Sequence, residues 1–163
     1  MEQEHGNRLT AALCGYLPYG LKGRVKSSAV DTIRVDANGF YDDVEFDVDV
    51  ELEMVNVGSG EIFVDTVTDN ADLRDHVMMS QQDGEPYMIE DFKPYLRSLT
   101  WITDTERRDL AEKNIMLAVS TTGVMTTGEG FDWLNEHHFD YRCMIDLGEA
   151  IEAPIGMYRE ALE

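Results

Sequence analysis

At 163 residues and 43% hydrophobic content, the chain is long enough to bury an ordinary core. Its formal net charge of −20 repels other polyanions, which excludes nucleic acid and anionic membranes as direct partners and favours a basic protein surface. Two cysteines, Cys14 and Cys143, are too few for a disulfide scaffold and read as reduced thiols.

No basic leader followed by an apolar stretch opens the chain, and the longest apolar run, residues 115–119, is far too short to span a bilayer. The expected setting is soluble and cytoplasmic.

Taken in order, residues 3–17 place Leu9, Ala12, Leu13 and Tyr16 on one stripe at helical spacing, and Pro18 and Gly20 end that helix. Alternation over 21–26 predicts a strand with Lys22, Arg24 and Lys26 on one face. A second short strand is expected over 32–36, and Asn38-Gly39 carries a hairpin-turn signal. Residues 44–54 then alternate apolar and acidic without a break. Because strand side chains point to opposite faces with a period of two, Val44, Phe46, Val48, Val50, Leu52 and Met54 form an oily face. The other face is a ruler of five carboxylates, Glu45, Asp47, Asp49, Glu51 and Glu53, about 6–7 Å apart. A turn at 57–60 leads into a fourth strand at 61–67. Residues 68–86 are a polar connection in which Asp69 or Asn70 is placed to cap a short helix through Met79.

The rest of the chain is helical in character. A short helix is predicted over 90–99, with Phe92, Tyr95, Leu96 and Leu99 on one side and Pro94 in the first turn. Thr103 and Glu106 form a capping box that opens a helix to about Met116, although 115–120 also fits a buried strand. Beyond the loop at 121–128, residues 130–139 and 141–147 read as two short helices, the second closed by Gly148. The fold expected is a single α+β domain over 1–163, an antiparallel meander of about four strands packed with several short helices. Residues 1–68 would form the helix and meander, and 69–163 the mainly helical part.

Two candidate sites emerge. Between Arg34 and Lys93 lie seventeen acidic residues and one basic residue, Arg74. The ruler of Glu45, Asp47, Asp49, Glu51 and Glu53 is therefore either a solvated scaffold face, neutralised across the sheet by Lys22, Arg24 and Lys26, or a surface that binds a partner. In the second reading its spacing resembles that of phosphates along an extended strand, so it could fill a basic groove as a nucleic-acid mimic. Carboxylates on a straight strand diverge, which weakens the case for capture of a single cation.

The other candidate is Asp132-Trp-Leu-Asn-Glu-His-His-Phe-Asp140. It mixes histidine and carboxylate, the basis for an alternative reading as a small enzyme or cation-binding protein. Adjacent histidines on a helix point about 100° apart, however, so packing of His138 beside Phe131 and Leu134 is the plainer expectation. No motif names a nucleophile, no catalytic residue is assigned, and no cofactor or metal ligand set is predicted. A purely structural or assembly role also stays open.

Three segments carry a resemblance: Tyr16-Leu-Pro-Tyr-Gly-Leu-Lys22, Phe92-Lys-Pro-Tyr-Leu-Arg-Ser-Leu-Thr100, and Phe131-Asp-Trp-Leu-Asn-Glu-His-His-Phe-Asp-Tyr-Arg142 continuing through Glu149-Ala-Ile-Glu-Ala-Pro154. Together they resemble a group of uncharacterised small proteins of phages, prophages and mobile elements of gut Bacteroidales. The chain departs from that group at Ser98, where proline is usual, and at Cys143, where glycine is. The resemblance implies an accessory protein of such an element, working in bacterial cytoplasm. It carries over no site residue.

Overall fold

The computed structural model describes residues 2–35, 41–67, 74–75, 77–78, 81, 87–120 and 123–158, with side chains outside 2–7, 28–35 and 41–45. Helix α1 (Glu2–Cys14) is followed by β1 (Lys22–Val35), β2 (Tyr41–Val55), β3 (Glu61–Thr66), β4 (Tyr87–Met88) and β5 (Lys93–Leu96). Then come α2 (Asp104–Glu112), β6 (Ala118–Ser120), β7 (Gly123–Met125), α3 (Gly128–Glu136) and β8 (Ile151–Glu152). The mixed helix and strand content agrees with an α+β chain. The strand number does not: eight strands are described where about four were expected.

Contacts divide the chain into two compact units, 1–10 with 22–92, and 11–21 with 93–163. In the first unit β1 to β4 form an antiparallel meander in spatial order β4-β3-β2-β1. The two short strands foreseen at 21–26 and 32–36 are one strand, β1. The Asn38-Gly39 turn and the Asp69 or Asn70 cap lie outside the described residues.

The core of this unit follows the alternation. Val25 faces Val48 across the β1–β2 register, and both are nearly inaccessible, as are Val50, Leu52, Ile62 and Val64. Each such aliphatic side chain contributes about 1.5–3 kcal/mol on burial. Phe46 is only half-buried; its cross-strand partner is the small Ser27, which leaves the ring partly uncovered. Val44 lies among the side chains not described.

In the second unit, β5 and β8 are parallel neighbours, with Tyr95 opposite Ile151 and Leu96 opposite Glu152. The helix expected over 90–99 is not formed. A 3-10 turn at Ile89–Asp91 is followed by extended chain, because the residue before Pro94 is pushed out of the helical region by the proline ring.

The helix expected over 141–147 is a series of turns instead. Cys143 takes a left-handed φ of 60°, which no helix interior tolerates. The capping box is formed as expected: the Thr103 hydroxyl accepts the Glu106 N–H at 3.2 Å, and the Glu106 carboxylate accepts the Thr103 N–H at 2.7 Å. Its helix, α2, stops at Glu112, and the β6–β7 hairpin that follows is exposed along β6.

Candidate partner-binding face

The acidic ruler lies in β2 with cations beside it on β1. Lys26 stands opposite Asp47, Arg24 opposite Asp49, and Lys22 opposite Glu51. Arg24 reaches two of these carboxylates, donating Nε–H to Asp49 Oδ1 at 3.0 Å and lying 3.8 Å from Asp47 Oδ2. Asp47 and Asp49 are thus paired across the strands, an arrangement for which the spacing of β1 is suited.

The other half behaves differently. On its β3 side Glu51 faces Asp65 directly. Glu53 and Asp65 are exposed, and among the described residues no cation lies within ion-pair distance of Glu51, Glu53 or Asp65. Like charges placed opposite one another cost a sheet stability, and Glu51 and Asp65 are so placed. The Glu45 side chain lies outside the described set.

A β-bulge sits at the end of the ruler. Leu52 faces Val64, but Met54 faces Phe63 and Val55 faces Ile62, so Glu53 is an extra residue in β2. Beyond it the inward and outward positions exchange. Met54, expected on the oily face, is 50% exposed on the outer one.

The cause is the hairpin loop. Asn56 takes the N–H groups of Gly58 and Ser59 on its side-chain oxygen, and Gly60 turns at φ 77° to donate to the Asn56 carbonyl at 2.8 Å. That loop sets a pairing one residue out of phase with the burial pattern of β2, and the bulge absorbs the difference. It was not legible in a sequence whose alternation runs unbroken to Met54.

Beside β3 lies an open groove of about 630 Å³, with Glu53, Phe63, Asp65, Arg74, Met78 and Gln81 on its walls. Gln81 reaches across it. Its Oε1 accepts the Val64 N–H at 3.0 Å and its Nε2–H donates to the Val64 carbonyl at 3.0 Å. A side-chain amide thus occupies the place of a neighbouring strand.

The second candidate, 132–140, is dispersed in the second unit. Helix α3 ends at Glu136, and His138 adopts φ 56° beyond it. The His137 ring stacks on Trp133 at 4.1 Å, with Nδ1 2.8 Å from the Trp133 carbonyl. His138 is buried; it stacks on Tyr158 at 3.8 Å and places Nε2 2.9 Å from the Tyr19 carbonyl. Asp140 accepts the N–H groups of Met144 and Ile145 at 2.9 and 2.8 Å, while Asp132 and Glu136 point to solvent.

His137, His138 and Asp140 are each engaged in a different local contact, and among the described residues no three histidine, cysteine or acidic side chains gather as metal ligands would. The Cys143 thiol is pushed up by burial and then by Asp140 and Asp146, opposite to what a nucleophilic thiolate needs. Among the described residues no helix is long and apolar enough to cross a membrane. Compared with protein-family models, curated proteins and solved structures, the chain has no significant match.

Proposed function

We propose that this chain acts without catalysis, by binding another protein through the acidic outer face of β2 and β3. One arrangement supports the reading above all: Glu51 and Asp65 oppose each other, with Glu53 beside them, while Arg24 is engaged by Asp47 and Asp49. Stability alone would favour a cation or a neutral residue at one of these positions. A partner with a basic surface relieves the repulsion on binding, and steering by so negative a chain speeds its encounter. Occupation of a groove that otherwise tracks a phosphate backbone is the sharpest form of this reading.

The setting we propose is an accessory role in a phage, prophage or conjugative element, in bacterial cytoplasm. It rests on the resemblance of the three segments. Backbone at the two points of departure is compatible with it: Ser98 sits at φ −62°, which proline adopts, and Cys143 at φ 60°, which glycine adopts freely.

The test is capture of a partner from the bacterial host, followed by titration against salt. Binding should weaken steeply as ionic strength rises, since exposed charges are screened beyond about 10 Å at 0.1 M. Glu51→Gln with Glu53→Gln and Asp65→Asn should abolish it. Binding that survives the triple change and ignores salt would sink the proposal.

A further inference from the structure

We infer that the outer edge of β6, at Val119, is where two copies of this chain meet, each adding its β6–β7 hairpin to the other's to make one four-stranded sheet. This surface belongs to the second unit and is separate from the acidic face of β2 and β3.

Parity in the hairpin aims the backbone outward. Val119 faces Val124, and the Val124 N–H donates to the Tyr141 carbonyl at 3.2 Å and not to β6. The two residues are therefore a non-hydrogen-bonded pair of the ladder, in which each member turns its backbone groups away from the other. The N–H and carbonyl of Val119 thus point to the outer edge. Among the described residues β6 has no strand neighbour besides β7. All three of its residues are exposed, Val119 to 62%.

The composition of that edge sets it apart. Between Lys113 and Glu129 no residue is charged, the longest such interval in the sequence. Edge strands that stay single are guarded by lysine, proline, a bulge or an inward charge. β6 has none of these, and its register with β7 is unbroken. Apolar surface lies on both faces. Leu117 and Val119 line an open groove of about 340 Å³ beside Leu110 of α2, where Arg107 alone among the described lining residues is charged. Met125, opposite Ala118 and so on the other face, is 74% exposed.

These features select a second copy as the occupant. Two molecules of net charge −20 repel wherever their surfaces are acidic, and the uncharged interval is where approach costs least. A two-fold contact must also be complementary to itself. Antiparallel pairing about an axis at Val119 meets that condition. Each Val119 gives its N–H to the other's carbonyl, and both side chains fall on the groove face, with Cα atoms about 5.5 Å apart. A basic partner, by contrast, finds no carboxylate in this interval.

The experiment is sedimentation velocity on the whole chain over a range of concentrations, up to about 1 mM, in low and in high salt. We expect a reversible dimer that strengthens several-fold as salt rises, because salt screens the repulsion that opposes it. Binding of a basic partner has the opposite salt dependence. Val119→Lys should weaken the dimer at least about tenfold. Val57→Lys, which puts the same charge on a valine 67% exposed in the first unit, should not weaken it. Both positions are exposed, so both variants should keep the wild-type melting temperature. The Val119 amide should exchange with solvent more slowly as concentration rises.

A chain that stays monomeric in high salt overturns the proposal. It does so equally if an uncharged, valine-rich peptide then protects the Val119 amide, which would give the edge to a foreign strand. A dimer that survives Val119→Lys, or that leaves the Val119 amide unprotected, overturns it as well.

Discussion

Arg97 and Glu106 form a buried, two-pronged ion pair, with Nη1 to Oε1 at 2.6 Å and Nη2 to Oε2 at 3.2 Å. The guanidinium also lies 4.3 Å from the centre of the Phe139 ring, and the same carboxylate closes the capping box of α2. Removing one member leaves the other charged and buried. Arg97→Met should therefore destabilise the protein by about 3 kcal/mol or more, read from a denaturant midpoint. An effect within experimental error would show that water repairs the site.

The same pair sets an acid limb. Burial pushes the Glu106 carboxyl up, but hydrogen bonds from Arg97 and Thr103 outweigh it and hold it below its ordinary value. Because the folded state releases this proton at lower pH than the unfolded state, the unfolded chain binds more protons in the window between the two values. Stability from this group is therefore full above the ordinary glutamate value of about 4.3 and is lost as pH falls through the lowered one. Melting curves of the wild type against Glu106→Gln should converge as the pH is taken down through that window. Curves that stay parallel would refute the assignment.

The cap at Thr103 shares the Glu106 carboxylate with Arg97, its hydroxyl donating to Oε2 at 2.9 Å. Thr103→Ala should cost about 1 kcal/mol, and Thr103→Ser should restore most of it, because serine keeps the hydroxyl that accepts the Glu106 N–H and lacks only the methyl. Helical circular dichroism during thermal unfolding reads both.

Across the acidic face, two pairs of substitutions should move stability in opposite directions. Asp47→Asn with Asp49→Asn removes two ion-pair partners of Arg24 and should lower stability slightly, by less than about 1 kcal/mol, since the pairs are exposed. Glu51→Gln with Asp65→Asn relieves a like-charge pair and should raise the melting temperature. A fall in the second case would mean that these carboxylates are scaffold and not surface.

Cys143→Gly should be neutral or stabilising by up to about 1 kcal/mol, because φ 60° strains any side chain while glycine adopts it freely. Cys143→Val, branched at Cβ, should instead destabilise. If both variants melt alike, the left-handed turn is not where the strain lies.

Local chemistry was legible in the amino-acid sequence. Alternation of Val48, Val50 and Leu52 with acids determined a strand buried on one face, and helical spacing of Leu9, Ala12 and Leu13 determined the buried stripe of α1. Thr103 and Glu106 announced their capping box three residues apart. Even the opposition of Lys22, Arg24 and Lys26 to Glu51, Asp49 and Asp47 followed from matching periods. All of these depend on groups within a few residues, or on a repeat that two strands share.

Tertiary structure decided what depends on distant partners and on the closure of loops. Whether 90–99 would be helix or strand turned on the proline constraint at Lys93 and on pairing with Ile151, more than fifty positions away. The bulge at Glu53 arose where the Asn56 loop and the burial of Ile62 and Val64 demanded different registers. The edge at Val64 came to be closed by the amide of Gln81, seventeen residues away in the chain. A residue's own period cannot encode such choices, because their energy belongs to contacts that exist only once the chain has folded.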